Sequence, residues 1–278
     1  MNNVPYEFTR NVSQLLRSYP DKDLTNLQEV SQLWKTASES TQKCVLKLNL
    51  FYVSRQDGFR FYCEQQDCHV ILRGPLDMES IKSQWNRIEI GTISVRQESD
   101  FFHSNWPLLD DQSESILRQI LRYSAFPVTI NFRRAEAKAC KRLLDLLSAV
   151  PRTKTIAAYF GIPQEARILI DKATRRGTLT KMWFSKVTIQ ATFLQSVTNW
   201  MRSTSFDFLH LNFEDQSTKN AKIAFKKIMK MGKELLRKKK KVRVGMSREC
   251  YKDYRGFPLA FFADDPNILE LAITGIKS

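Results

Sequence analysis

The chain has 278 residues, 42% of them hydrophobic and 26% charged, which is enough apolar material for a sizeable core. Charged residues interrupt every apolar run before it reaches the ~20 residues that a membrane span needs, and no secretory signal is expected at the N-terminus. Secreted and membrane-embedded classes are therefore not expected. Five cysteines without a framework spacing favour an intracellular compartment, either cytoplasm or nucleus.

The formal net charge of +15 is concentrated in the last third of the chain. Residues 167–255 contain 22 Lys or Arg against 7 Asp or Glu, whereas residues 1–41 contain 4 basic and 5 acidic residues. This unequal distribution favours different roles for the two parts of the chain.

Two short amphipathic helices are predicted in the first 41 residues. Apolar residues recur at helical spacing from Val4 to Leu16, and a second such pattern runs from Asp23 to Trp34. Helices this short are not stable alone, so their apolar faces must pack on a neighbour. That neighbour is either the rest of this chain, on which they would form an N-terminal cap, or another protein.

From residue 43 the apolar period changes to two, which is typical of strands. The segments 45–53 and 59–63 flank Asp57-Gly58 and predict a β-hairpin. Further strands are predicted at 69–72 and 88–95, and a loop at 97–112 that Phe101, Phe102 and Trp106 anchor.

Beyond residue 112, helical and strand patterns alternate. Helices are predicted at 113–123, 135–149, 163–176, 190–202 and 217–238. Strands are predicted at 128–132, 155–160, 179–187, 206–213, 241–244 and 269–273. The strand centres are 26 to 33 residues apart, which favours repeated strand–helix units stacked side by side. We therefore predict an α/β fold, either with a leucine-rich-repeat-like curved sheet or as a compact domain with a parallel sheet.

Signals of catalysis are weak. The sequence contains no phosphate loop, no dinucleotide-binding glycine motif after a strand, no HExxH and no GxSxG, so we expect neither an enzyme nor a cofactor. Cys63, Cys68 and His69 supply only three metal ligands, and buried thiols in a hairpin explain the cysteines more simply. His210 alternates with apolar residues and is expected to be partly exposed.

The first 34 residues resemble an F-box. Val4-Pro5-Tyr6-Glu7 occupies the place of the opening Leu-Pro-x-Glu, and the remaining motif positions are held by Val12, Leu16, Asp23-Leu24, Leu27, Val30 and Trp34. Spacing holds on both sides of a connector about three residues longer than usual. Val4, Phe8 and Ser31 depart from the commonest residues of the pattern.

The resemblance implies a partner and a function. An F-box docks on a Skp-family adaptor that joins it to a cullin and a RING subunit of a ubiquitin ligase. The implied adaptor contacts are Pro5, Phe8, Val12, Leu16, Leu24, Leu27, Val30 and Trp34. The opening Met1–Phe8 and the order of segments are also similar to the F-box-associated proteins expanded in nematodes. Residues 1–41 would then be the F-box-like segment, and residues 42–278 an F-box-associated region that recognises an unidentified protein substrate.

A lysine-rich helix near the C-terminal end offers a second interpretation. Its basic run consists of Arg237, Lys238, Lys239, Lys240, Lys241 and Arg243. Its apolar face is predicted to contain Ile223, Phe225, Ile228, Met229, Met231, Leu235 and Leu236. Such a run is a solvated helix face, a nuclear-import signal or a contact for an acidic partner or nucleic acid. A basic nucleic-acid-associated module is the alternative function, and a scaffold without a ligase link is the third.

Overall fold

The structure is a computed structural model. It describes residues 8–9, 12, 44–53, 58–67, 78–83, 88–97, 106–124, 126–134, 137–161, 166–188, 190–213, 219–237, 242–247, 260–261 and 268–273. Within 44–273 these residues form β1 (Cys44–Val53), β2 (Gly58–Asp67), α1 (Met78–Ser83), β3 (Ile88–Gln97), α2 (Asp111–Tyr123), β4 (Val128–Arg133), α3 (Ala137–Ser148), β5 (Thr153–Tyr159), α4 (Ala166–Arg175), β6 (Lys181–Val187), α5 (Ala191–Met201), β7 (Phe208–Phe213), α6 (Lys219–Arg237), β8 (Val242–Ser247), β9 (Ala260–Phe261) and β10 (Ile268–Ile273).

All ten strands belong to one mixed sheet, in the order β2-β1-β3-β4-β5-β6-β7-β8-β10-β9. Strands β1 and β3 to β8 run parallel to one another and stand in chain order. Strand β2 pairs antiparallel with β1 at one edge, while β10 pairs antiparallel with β8 and β9. The predicted α/β class and the predicted side-by-side strand–helix units are both confirmed.

The helices form a row on one face of the sheet. Parallel crossovers are almost always right-handed, so strands that follow chain order place their connecting helices on the same side. Each helix from α1 to α5 contacts the next one along the chain. The buried core joins alternate strand residues such as Ile130, Ile156 and Phe184 to helix residues such as Leu121 and Leu146. The other face of the sheet receives no helix from the described part of the chain.

Local sequence fixes where the helices begin and end. The Asp110 carboxylate accepts a hydrogen bond of 2.7 Å from the Ser113 backbone N–H and caps α2. Hydrogen bonds from the Ser113 side chain and from its backbone lower the pKa of Asp110. Gly177 follows α4 with a φ of +66°, a conformation that suits glycine. The Gly177 and Thr178 N–H groups donate to the carbonyls of Thr174 and Ala173. This arrangement ends α4 and turns the chain toward β6.

The hairpin of β1 and β2 confirms the period-two pattern and its turn, since Val53 pairs with Gly58. Trp106 anchors its loop as predicted, because its ring lies 4.6 Å from Phe51 and 5.4 Å from Tyr62. The predicted strand at 69–72 and the residues Phe101 and Phe102 lie outside the described residues. Helix α1 was not predicted from the sequence, because six residues are too few to show a helical period.

Two predictions about exposure are wrong. His210 is only 3% exposed, because the Trp183 ring of the neighbouring strand stacks on its imidazole at 4.0 Å. Ile223 is 51% exposed rather than part of the apolar face of α6. Ile228, Met231 and Leu235 of the predicted face are buried as expected, and Ala224 is buried in the place of Ile223.

Cys63 lies in the hairpin core, 5% exposed, while Cys68 and His69 are outside the described residues. Burial, helped by the charge of Glu64, raises the pKa of the Cys63 thiol to about 12. Because the pKa is higher in the folded state, this thiol should lower stability as pH rises from about 9 to about 12.

We expect Cys63 to resist iodoacetamide in the native protein near pH 8 and to react after denaturation, as read by mass spectrometry of its peptide. Rapid native labelling would contradict the buried placement.

None of the helices in the described ranges is long and apolar enough to cross a membrane. The same ranges contain no group of three or more side chains placed to bind a metal ion.

Candidate functional site

The open face of the sheet is the side opposite the helices. The strands β1 and β3 to β7 contribute to it Lys47, Asn49, Phe51, Thr92, Ser94, Arg96, Thr129, Asn131, Arg133, Thr155, Ala157, Tyr159, Lys181, Trp183, Ser185, Phe208 and His210. Strand register aligns these residues in three rows across the sheet. The row nearest the amino ends is rich in threonine, and the row nearest the carboxyl ends contains arginine and aromatic residues.

A polar cluster covers the open face at β1 and β2. The Lys47 ammonium lies 3.0 Å from the Glu64 carboxylate, and the Asn49 amide donates to the same carboxylate at 3.1 Å. Asn49 is 1% exposed, so this hydrogen bond is sheltered from water on the Asn49 side. The Glu64 carboxylate therefore binds Lys47 and Asn49 of its own hairpin.

An aromatic cluster lies in the middle row. Trp183 stacks on His210 at 4.0 Å and contacts Phe208 at 5.8 Å. Its other neighbour in the row is the buried Ala157. Trp183 is partly exposed and gives the open face an apolar surface.

The row nearest the carboxyl ends combines cations with aromatic rings. Arg96 and Arg133 are direct neighbours across β3 and β4. The Arg96 guanidinium lies 5.9 Å from the Phe51 ring centroid, and that of Arg133 lies 5.5 Å from the centroid of Tyr159. Burial and the nearby Arg133 charge both lower the pKa of Arg96, while Glu64 opposes them. Two like charges are thus held side by side.

Three residues continue this row at the ends of the strands, since Arg134 and Phe160 directly follow β4 and β5 and Lys186 is the last but one residue of β6. Arg134, Phe160 and Lys186 have positive φ angles of 49°, 62° and 53°. The Arg134 and Phe160 N–H groups each donate to the carbonyl of the next strand at 3.0 Å. The Arg134 guanidinium lies 4.7 Å and the Lys186 ammonium 5.0 Å from the Phe160 ring centroid. We call Arg96, Arg133, Arg134 and Lys186 the cationic edge.

The left-handed backbone at these positions carries a cost. A residue with a side chain loses about 1 to 2 kcal/mol in this conformation, which glycine adopts readily. Strained backbone of this kind clusters at functional sites, where the side chain is needed in that place. Here three successive units carry Arg134, Phe160 and Lys186 where glycine would be cheaper. The carboxyl edge of the open face is therefore the best candidate site in the described part of the chain.

The site residues predicted from the N-terminal sequence are mostly outside the described residues, namely Pro5, Leu16, Leu24, Leu27, Val30 and Trp34. Phe8 and Val12 occupy helical positions, Phe8 with 55% of its side chain exposed and Val12 half-buried. That the eight residues form one contact surface therefore stays a prediction.

The predicted basic run is described only at its ends. Arg237 is the last residue of α6, and Arg243 of β8 pairs with Phe208 of β7. Lys238, Lys239, Lys240 and Lys241 are outside the described residues. Upstream on α6, Lys222, Lys226, Lys227 and Lys230 are exposed, and the Lys227 ammonium donates to the Gln195 side chain at 3.3 Å. The amphipathic pattern of the helix is confirmed for these residues.

The cationic edge was not predicted from the sequence, although a signal for it exists. The pairs Arg133-Arg134, Tyr159-Phe160 and Ser185-Lys186 lie at or next to the ends of three predicted strands and are separated by 26 residues. Equal separation at strand ends places the pairs next to one another in a parallel sheet. The regular strand spacing predicts the fold, whereas the edge becomes visible only when the residues of successive units are aligned.

Comparison of the chain with protein-family models, with curated proteins and with solved structures finds no match in any of the three.

Proposed function

We propose that the chain is a non-catalytic, F-box-type substrate adaptor that links a target protein to a cullin-based ubiquitin ligase through a Skp-family adaptor. Residues 1–41 would contact the adaptor, and residues 42–278 would hold the target. One observation carries the proposal: the helices occupy one face of the sheet, while the open face has exposed Arg133 and partly exposed polar and aromatic side chains such as Asn131, Tyr159 and Trp183. A broad face of this kind is suited to recognition of a protein surface.

We further propose that the sheet curves as it does in leucine-rich-repeat proteins. Packed helices lie about 8 to 10 Å apart, whereas neighbouring strands lie about 4.8 Å apart. A single row of helices behind strands in chain order therefore needs more width than the strands do. Bending the sheet relieves this mismatch and makes the open face concave, which suits an extended binding surface.

The N-terminal segment supports the adaptor half of the proposal. Phe8 presents a large apolar side chain that is 55% exposed at a helical position. Burying such a side chain against a partner is favourable by about 1.5 to 3 kcal/mol. A docked Skp-family adaptor would provide this burial.

Retention by a purified Skp-family adaptor tests the function. We expect the full chain to be retained and Leu16→Ala combined with Trp34→Ala to abolish retention, because each buried apolar anchor contributes at least about 2 kcal/mol. The matched control is Tyr123→Ala combined with Ile168→Ala, which removes two exposed apolar side chains from α2 and α4. This control should be retained like the wild type.

Circular dichroism separates loss of contact from loss of fold. A double variant that keeps its spectrum and thermal transition but loses retention supports the adaptor function. Unfolding of the Leu16→Ala, Trp34→Ala variant would instead favour helices that cap this chain's own α/β region. Absence of retention for the wild-type chain would overturn the ligase link.

A basic nucleic-acid-associated module is the second candidate. The observation that favours it is the group of exposed lysines on α6, Lys222, Lys226, Lys227 and Lys230. Phosphate contacts by such lysines would make binding fall steeply with salt. The substrate-adaptor proposal requires no such binding.

A further inference from the structure

We infer that the cationic edge binds an acidic segment of a partner protein, in an extended conformation that crosses the carboxyl ends of β3 to β6. The inference rests on the proposed function only where it identifies that partner as the ligase target. Binding of the segment itself needs neither the N-terminal helices nor a Skp-family adaptor.

Charge complementarity is the first support. Arg133, Arg134 and Lys186 are exposed, and none of them forms an ion pair with a carboxylate of the described residues. Arg96 lies beside Arg133 and donates to the Ser94 hydroxyl at 3.2 Å. The nearby Glu64 is already paired with Lys47 and Asn49. The edge therefore keeps an excess of positive charge, and guanidinium groups bind carboxylates in a bidentate manner.

The spacing of the edge fits a peptide. From β3 to β6 there are three strand intervals, about 14 Å at the usual strand spacing. An extended chain covers this distance with about four or five residues, and its alternate side chains point to the same side about 7 Å apart. Two or three acidic residues at alternate positions would thus face the cations of neighbouring strands.

The aromatic rings of this edge argue against single-stranded nucleic acid. Such ligands bind by stacking their bases on exposed aromatic rings. Here the Phe160 ring is contacted by Arg134 from one neighbouring unit and by Lys186 from the other. The Tyr159 ring is contacted by Arg133, and the Phe51 ring by Arg96 and Trp106. These contacts place a cation against each ring, which leaves less aromatic surface free for bases.

The strained backbone gives a second, independent support. Arg134, Phe160 and Lys186 keep their side chains at left-handed positions in three successive units. The Phe160 ring contacts the cationic groups of Arg134 and Lys186, and half of the Phe160 surface is exposed. A preorganised row of cations loses little conformational entropy when an acidic segment binds.

Binding is measured by fluorescence anisotropy with the full chain and a labelled twelve-residue peptide in which glutamate alternates with serine. The reference probes are the same peptide with glutamine for glutamate and a single-stranded thymidine oligonucleotide of equal length. We expect binding of the glutamate peptide, at least tenfold weaker binding of the glutamine peptide, and a loss of affinity when salt rises from about 50 to about 200 mM.

Two variants with equal charge loss distinguish the edge from general basicity. Arg133→Gln combined with Arg134→Gln should weaken binding of the glutamate peptide about tenfold or more. Lys222→Gln combined with Lys226→Gln removes the same charge from the exposed face of α6. This pair should change the affinity for the glutamate peptide less than about twofold, because screening weakens distant charges. Equal weakening by both pairs would overturn the inference.

Lys186→Gly is a variant that should keep its fold. The left-handed backbone at position 186 suits glycine, so we expect the thermal midpoint of the variant to be unchanged or higher. Binding of the glutamate peptide should still fall about threefold or more. Any of three outcomes would refute an acidic-peptide site. They are unchanged binding in this variant, absence of binding by the wild-type chain, and tighter binding of the oligonucleotide that depends on Arg133 and Arg134. Because no Skp-family adaptor is present, these outcomes leave the ligase link to its own test.

Discussion

Replacing Trp200 with alanine is expected to lower the free energy of unfolding by about 3 to 5 kcal/mol. The side chain of Trp200 is fully buried between α5 and the sheet. Its indole N–H donates to the Leu179 carbonyl at 2.7 Å, and its ring meets Phe206 edge-to-face at 4.7 Å. The substitution leaves a cavity and removes the donor from a buried carbonyl, and both effects destabilise the folded chain.

Urea unfolding followed by circular dichroism measures this effect. Trp200→Phe keeps most of the buried volume but loses the N–H donor, so we expect about 1 to 2 kcal/mol of destabilisation. Trp183→Ala is a matched control, because Trp183 lies half-exposed on the open face. Trp183→Ala should lower the free energy of unfolding clearly less than Trp200→Ala does. Equal losses for the two tryptophans would contradict the burial that the fold assigns to α5.

Asn49→Asp is expected to destabilise the chain by about 3 kcal/mol at pH 7, although the two side chains have the same shape. The substitution replaces the amide that donates to the Glu64 carboxylate with a second carboxylate, at a site only 1% exposed. Two adjacent carboxylates repel one another, and burial disfavours the ionised form of the new group. The loss comes from charge rather than from volume.

The pH dependence identifies that cause. The introduced carboxyl group keeps its proton to a higher pH in the folded state than in the unfolded state. The loss in free energy of unfolding should therefore grow as pH rises from about 4 to about 7. Glu64→Gln combined with Asn49→Asp restores an amide–carboxylate pair, and we expect it to recover more than half of the loss. A penalty that is independent of pH, or absence of recovery in the double variant, would exclude the proposed repulsion.

These two positions separate stability from the proposed binding. Trp200 belongs to the helix-side core, and Asn49 lies one row away from Arg96 on the open face. Arg133, Arg134 and Lys186 are exposed and contribute no ion pair within the described ranges. Changes at the cationic edge should therefore alter ligand affinity without the large stability losses expected at Trp200 and Asn49.

Most elements of the fold from residue 44 onward follow from the sequence, but the short helix α1 and the two-residue strand β9 do not. The change of apolar period predicted the hairpin of β1 and β2, and the regular alternation predicted α2 to α6 with their strands within a few residues. Period and spacing are local properties, because they depend on which side of a helix or strand a residue occupies. The F-box resemblance of residues 1–41 and the role of the basic run remain predictions.

Which side chains from distant units lie together depends on tertiary packing. His210 is buried because Trp183, 27 positions earlier, stacks on it from the next strand, although its own alternation predicted exposure. The cationic edge likewise unites Arg96, Arg133, Arg134 and Lys186 through the parallel register of β3 to β6. Register is fixed by packing across strands, so a pattern within one segment cannot specify it.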